Sequence, residues 1–173
     1  MNTKKDGIYI RPITIDDTDA LLSWRNSSGV KQFFIYQEEI TKEDHLNWLK
    51  HKVETGKVVQ FIIVEVETDT PIGTVYIQDI DHVHKKAEYG ILICNSAKRG
   101  KGYGTLAANL MIKYAFEEMK LHRVYLRVIE ENERAIKSYE KAGFKKEALL
   151  HDDVCINGVY KNIILMGIVN GEN

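Results

Sequence analysis

The stretch from Ala87 to Glu118, AEYGILICNSAKRGKGYGTLAANLMIKYAFEE, constrains the chain more than any other. Ile, Leu and Tyr crowd Ala87 to Cys94, as in a buried strand. Arg99-Gly100-Lys101-Gly102-Tyr103-Gly104 follows. From Thr105 onward Leu106, Leu110, Met111, Tyr114 and Ala115 recur at helical spacing. A basic, glycine-spaced loop therefore opens a long helix. The first turn of a helix has backbone N–H groups without internal partners and the positive end of the dipole. Glycine lets that backbone approach a ligand, and Lys98, Arg99 and Lys101 add charge. Together they point to a phosphate or pyrophosphate; the alternative is a turn with solvated charges. A Walker loop is excluded, because no Gly-Lys is followed by Ser or Thr. The dinucleotide fingerprint fits poorly, since the spacing is GxGxG and stands several residues beyond the strand.

The rest of the chain supplies a frame for this unit. Gly7 to Arg11 reads as a strand stopped by Pro12, and Asp17 to Asn26 as a helix with Ala20, Leu21 and Trp24 on its apolar face. Val30 to Ile40 is aromatic and irregular. Thr41-x-x-Asp44 resembles a capping box and opens a helix over Lys42 to Glu54. Val58 to Val66, Ile72 to Ile80 and Ala87 to Cys94 form a meander, with Thr68-Asp69-Thr70-Pro71 as its first turn. Leu121 to Ile129 is a strand and Glu133 to Lys141 a helix ending at Gly143. Phe144 to Leu150 and Tyr160 to Val169 pair through Asn157-Gly158, a strong hairpin signal. This order predicts an α+β fold: a mostly antiparallel central sheet of about seven strands with helices on both faces.

A length of 173 residues suits one domain over 1–173, with a core large enough to fold alone. Net charge of −1 gives no general attraction to nucleic acid or an anionic membrane. No apolar run reaches the length of a membrane span, and the start MNTKKDG is not a signal peptide. Cys94 and Cys155 are far apart and outside any CxxC pattern, which suits reduced thiols in the cytoplasm. His82-x-His84 has no companion ligands at metal-binding spacing, so no metal is expected.

Two motifs together carry a family resemblance. Arg99-x-x-Gly102-x-Gly104 resembles the acetyl-CoA signature of the GNAT N-acetyltransferases. Asn132-x-x-Ala135-x-x-x-Tyr139-x-x-x-Gly143-Phe144 resembles that family's second signature at the usual distance downstream. The resemblance is densest from Asp81 to Met166 and implies a GNAT-like fold, with acetyl-CoA as the acetyl donor. Its acetyl-CoA core would span about 87–145, and its acceptor-side helices about 14–55. It also implies that the strand ending at Cys94 and the strand from Leu121 splay apart to admit the pantetheine arm. The backbone of Ile91, Leu92 and Ile93 would pair with that arm. The backbone of Arg99, Gly100, Lys101, Gly102, Tyr103, Gly104 and Thr105 would hold the pyrophosphate. The Asn132 amide would hold the CoA arm, with Ala135 beside it.

Acetyl transfer to an amine makes three demands. The amine must be neutral, although a free alkylamine has a pKa of about 10.4. The thioester oxygen needs donors, and the departing thiolate benefits from a proton donor. The resemblance makes Tyr139 the candidate acid; the alternative is a core tyrosine on a helix. Glu88 holds the position of the glutamate base in the histone-acetyltransferase branch; the alternative is a surface glutamate paired with Lys85 or Lys86. The candidate acceptor-binding residues are Phe34, Glu38, Glu39, His84 and Glu88, and the acidic ones favour a polycation.

The acceptor itself is read from local resemblances. Asp81 to Tyr89 and Asn157 to Asn162 resemble spermidine acetyltransferases. Trp24-Arg25-Asn26 and His45 to Leu49 look more like enzymes of nucleotide-linked amino sugars, and both pairs echo ribosomal-protein N-terminal acetyltransferases. The expected acceptor is a primary amine of a small molecule, with a lean to a polyamine or diamine. A non-catalytic acyl-CoA-binding module is the reading from another class. The resemblance also implies a homo-oligomer, a dimer or larger.

Overall fold

Alternation of apolar residues divides the sheet into two faces, and each face takes its own helices. A computed structural model describes residues 7–94 and 100–171. The strands are β1 (Ile8–Pro12), β2 (Val59–Glu65), β3 (Thr70–Asp81), β4 (Lys86–Ile93), β5 (Arg123–Ile129), β6 (Lys145–Ile156) and β7 (Val159–Val169). They form one seven-stranded sheet in the order β1-β2-β3-β4-β5-β7-β6. Every neighbouring pair is antiparallel except β4 with β5. The helices are α1 (Thr18–Asn26), α2 (Ser28–Lys31), α3 (Lys42–Trp48), α4 (Tyr103–Glu117) and α5 (Glu133–Lys141). The α+β architecture expected from the sequence is therefore present.

On one face Phe61, Ile63, Val75, Ile77, Tyr89 and Leu126 pack with Ala107, Ala108 and Met111 of α4 and Ile136 of α5. The alanines let α4 lie close to the sheet, and each large side chain buried there contributes about 1.5–3 kcal/mol of transfer free energy. On the opposite face Ile62 and Val64 meet Leu21 of α1 and Leu49, just beyond α3, in a second core. Consecutive residues of β2 thus serve different cores, as the pleat requires.

Several boundaries differ from expectation. The helix predicted over Lys42 to Glu54 is α-helical only to Trp48, and Leu49–Val53 is π-helical. The widened turn accompanies two anchors: the Trp48 indole donates to Gln60 Oε1 at 2.9 Å, and Leu49 is buried. Thr41 caps α3 as expected, with Asp44 completing the box. Thr70 and Pro71, expected in a turn, begin β3. Pro71 has no N–H to donate, and the pairing shifts by a bulge between Ile63 and Val64 where they meet it. β6, expected to end at Leu150, continues to Ile156 because the Asn157-Gly158 turn forces pairing of Ile156 with Val159. Both turn residues have positive φ, 52° and 80°, as a type I′ turn demands. The pairing shift between Leu150 and Val154 absorbs the polar residues in between.

The feature that makes a site is the short contact between β4 and β5. They pair at only three positions, Lys86 with Arg123, Ala87 with Val124 and Glu88 with Tyr125. Beyond Glu88 they part, and β5 pairs on its other side with β7 through Ile129. From Tyr89 to Leu92 the β4 backbone edge facing the gap has no strand partner among the described residues, so it faces a slot.

Candidate active site

The slot opens into a cleft of about 1070 Å³ that reaches both faces of the sheet. It is lined by Ile91, Leu92, Ile93, Gly100, Lys101, Gly102, Gly104, Thr105, Asn132, Ala135 and Tyr139. Apart from Tyr103 and Arg99, the expected cofactor-binding residues therefore all border one cleft. Arg99 lies outside the described residues. Tyr103, the first residue of α4, turns its hydroxyl instead to Glu65 Oε1, at 2.9 Å.

Gly102 caps α4 in a left-handed conformation, φ 82°. A Cβ built there meets no described residue within 4 Å, so among the described residues the glycine leaves open space beside the helix N-terminus. Gly104 has a different role: its added Cβ would stand 3.2 Å from Ser138 Oγ, so it lets α4 and α5 approach each other. Thr105 Oγ1 lies 3.0 Å from the same Ser138 hydroxyl. The helix start is also anchored by Glu65, only 1% exposed, which accepts from Tyr103 and from the Thr68 hydroxyl and has Lys101 Nζ at 4.0 Å. Sequence reading passed over Glu65, since an acid ending an apolar strand gives no local signal. Asn132 caps α5 by accepting from the Ala135 N–H at 3.3 Å.

Tyr139 belongs to an aromatic group, its ring centroid 6.1 Å from Tyr89 and 6.0 Å from Phe144. Burial pushes its phenol pKa up, with the nearby Tyr76 adding to the shift. The phenol thus keeps its proton at neutral pH. Tyr89, 3% exposed, is pushed well above the usual phenol range by burial, and its hydroxyl has no partner among the described residues.

Glu88 stands between Ala87 and Tyr89, which enter the α4/α5 core, so its own side chain points to the other face. It is 6% exposed. Neither Lys85 nor Lys86 is its partner. Arg127 Nε donates to Glu88 Oε1 at 2.9 Å, and Gln78 Nε2 donates to Oε2 at 3.4 Å. A buried carboxylate is costly unless paired, and Arg127 supplies the pair. The hydrogen bond to Glu88 raises the Arg127 pKa against the opposing effect of burial, and the Tyr36 phenol adds to the rise. Tyr76 lies across Gly90, where any Cβ would come within 2.2 Å of the ring. Burial and then the Glu88 charge push the Tyr76 phenol up to about 12.

Phe34 lines this end of the cleft beside Val30, Phe33, Ile35 and Tyr36. Glu38, Glu39 and His84 are exposed and stand outside the cleft lining. The His84 N–H instead closes a turn onto Asp81 Oδ1 at 2.8 Å. Arg127 and Gln78 were missed in the sequence. The signal for Arg127 was the alternation of β5, which sends Val124, Leu126 and Val128 inward and leaves Arg127 on the face of Glu88, whereas Gln78 on β3 is placed by its register opposite Glu88. Among the described residues no group of three metal-ligating side chains exists, and no helix is long and apolar enough to cross a membrane.

A family model described as an Acetyltransferase (GNAT) domain matches residues 8–145. The chain belongs to the GNAT family. It is 33% identical to the spermidine N(1)-acetyltransferase of Escherichia coli over 93% of this chain and 85% of that protein. It is 28% identical to the spermidine N(1)-acetyltransferase of Vibrio cholerae over 95% of this chain and 94% of that one. A crystal structure of spermidine N-acetyltransferase from Vibrio cholerae with CoA and spermine shares the fold. Its TM-score is 0.87 at 24% identity, covering 94% of this chain and 95% of that one. The GNAT protein described here is an acetyl-CoA-dependent N-acetyltransferase, and its splayed strands and open Gly102 corner fit the acetyl-CoA that such transfer consumes.

Proposed function

We propose that the protein transfers acetyl from acetyl-CoA to a primary amine of a polyamine or similar small diamine. The observation that carries this reading is one continuous cleft joining Gly102 and Tyr139 on one face of the sheet to the buried Glu88 on the other. The β4 backbone at Ile91–Ile93 holds the pantetheine arm, and an N–H there polarises the thioester carbonyl. The N-terminus of α4 faces the pyrophosphate. Glu88 takes the proton from the attacking ammonium, directly or through a water, and the neutral amine attacks the carbonyl carbon. The tetrahedral adduct then collapses: the C–S bond breaks, Tyr139 gives its proton to the departing sulfur, and the second proton shed by the acylated nitrogen restores the phenol by way of solvent. The polyamine acceptor is supported by the spermidine-acetylating relatives.

One observation favours a second reading. Arg127 puts a cation at the acceptor end, while Glu38 and Glu39 stand outside the lining. An acceptor bearing an anionic group, such as a nucleotide-linked amino sugar or a peptide whose N-terminus adjoins an acidic side chain, would use that cation. A thiol-release assay with acetyl-CoA against spermidine, spermine, a diamine, an amino-sugar nucleotide and free-N-terminus peptides separates the readings. Turnover confined to the polyamines and diamine is expected. Turnover confined to the sugar nucleotide or the peptides replaces the proposal with the second reading. Tight CoA binding without turnover of any of them favours an acyl-CoA-binding module.

We also place the protein in the cytoplasm, in keeping with two cysteines that stand far apart in the sequence and outside any CxxC pattern. Self-association is part of the same proposal: β6 is exposed along most of its length, and Leu149, Val159 and Tyr160 on its hairpin are open to solvent. Light scattering that gives a monomer mass would remove it.

A further inference from the structure

The buried arginine of α1 is expensive and has no carboxylate partner among the described residues. Arg25 is 8% exposed, so its guanidinium has been taken out of water. Burial lowers its pKa. Among the described residues its polar contacts amount to one: Nη2 donates to the backbone carbonyl of Tyr36, while Nη1 has no partner. The guanidinium also lies over the Phe34 ring, 4.1 Å from its centroid. The next residue works on the far end of the same segment. Asn26 Nδ2 donates to the Ile40 carbonyl at 2.8 Å, and the Ile40 N–H donates back to Asn26 Oδ1 at 2.9 Å.

Residues 33–40 have no regular secondary structure of their own. Backbone that forms no ladder is held by whatever bonds it makes, and here two adjacent side chains at the end of α1 grip the segment at its middle and its end. The gripped segment supplies Phe34 and Tyr36 to the cleft. Tyr36 in turn stands by Arg127, and Arg127 holds Glu88. An unbroken series of contacts therefore runs from α1 to the buried carboxylate.

We propose that Arg25 and Asn26 are positioning residues for the amine acceptor. They clamp residues 33–40 as the acceptor wall and, through Tyr36 and Arg127, fix the orientation of Glu88. The inference rests on the reading of the Glu88 side as the acceptor side. Neither residue touches the wall on which acetyl-CoA binds, so the two substrates should respond differently to their loss.

The test combines hydrogen exchange with steady-state kinetics on the full chain, wild type against Arg25→Ala and Asn26→Ala. Amides of 33–40 should exchange about tenfold faster in both variants, with β4 and β5 unchanged. KM for spermidine should rise about tenfold while KM for acetyl-CoA stays within about twofold. Arg25→Lys should restore little, because an ammonium lacks the planar fork that bonds a carbonyl and stacks on a ring at once. Unchanged exchange over 33–40 overturns the clamp whatever the acceptor proves to be. Faster exchange with an unchanged acceptor KM, or an equal rise in both KM values, overturns the positioning role. Should wild type fail to turn over spermidine, the polyamine reading fails; KM is then read with the amine that the panel identifies, and exchange still decides the clamp. If Arg25→Ala does not fold, Asn26→Ala carries the test, since its loss removes only the grip at Ile40.

Discussion

The two faces of the sheet meet in one cleft but are built by different means. On the α4/α5 face the site is made mostly of backbone: a glycine with φ 82° at a helix start, and a strand edge freed where β4 and β5 part. Side chains there are mainly supports, such as Glu65 beneath Tyr103 and Ser138 against Gly104. On the α1/α3 face the site is made of side chains: Glu88, Arg127 and Gln78 in one hydrogen-bonded group, with an aromatic segment held over it from α1. A backbone site recognises what every acetyl-CoA shares. A side-chain site can be changed one residue at a time, which is why the proposal gives acceptor choice to the second face.

Substitutions separate the two faces, and the greatest loss belongs to the N-terminus of α4. Gly102→Val puts a β-branched residue where φ is positive and fills the open corner. A loss of about a hundredfold in CoA affinity by calorimetry is expected; normal affinity would show that the pyrophosphate lies elsewhere. Tyr139→Phe removes the proton donor but keeps the ring among Tyr89 and Phe144. It should lower kcat by about a hundredfold with CoA affinity within about twofold, and unchanged turnover would end its role as acid. Glu88→Gln should lower turnover about tenfold at neutral pH and recover part of it toward pH about 9, where more of the amine is neutral. An equal loss at all pH values would count against a base.

The smallest effect concerns stability of the acceptor face. His45 of α3 is 3% exposed, and neither ring nitrogen has a partner among the described residues. Burial lowers its pKa, against a weaker opposing pull from Asp17. A lowered folded pKa means that the unfolded chain takes up the proton first as pH falls. The neutral imidazole's contribution is therefore full above about 6.5, the unfolded value, and is lost as pH falls from there through the lowered folded value. Tm should drop between pH 7.5 and 5.5 in wild type and drop less in His45→Phe; equal drops would exonerate His45.

Legibility in the sequence follows the same division. The α4/α5 face was readable because its requirements are local: glycines at fixed offsets before a helical repeat, and Asn132 and Tyr139 on successive turns of one segment. Even the strand-order consequence, the parting of β4 from β5, came through the family resemblance carried by those motifs. The acceptor face depends on partners far apart in the chain. Glu88 was singled out, but its partner Arg127 is 39 residues away and looked like one charge among several on a strand. Glu38 and Glu39 drew attention by charge, whereas the segment turns Phe34 and Tyr36 to the cleft instead. Boundaries failed where pairing overrode local signals, as at Pro71, absorbed by a bulge, and at 151–156, drawn into β6 by the hairpin turn.

If one cleft serves two substrates from two separate faces, Arg127→Met should affect only one of them, because Arg127 lines the shared cleft yet is assigned wholly to the acceptor. CoA should bind the variant with wild-type affinity, within about twofold by calorimetry, while the acceptor KM changes by about tenfold or more. Loss of CoA affinity to the same extent as the change in acceptor KM would contradict the division and make the cleft a single interdependent site.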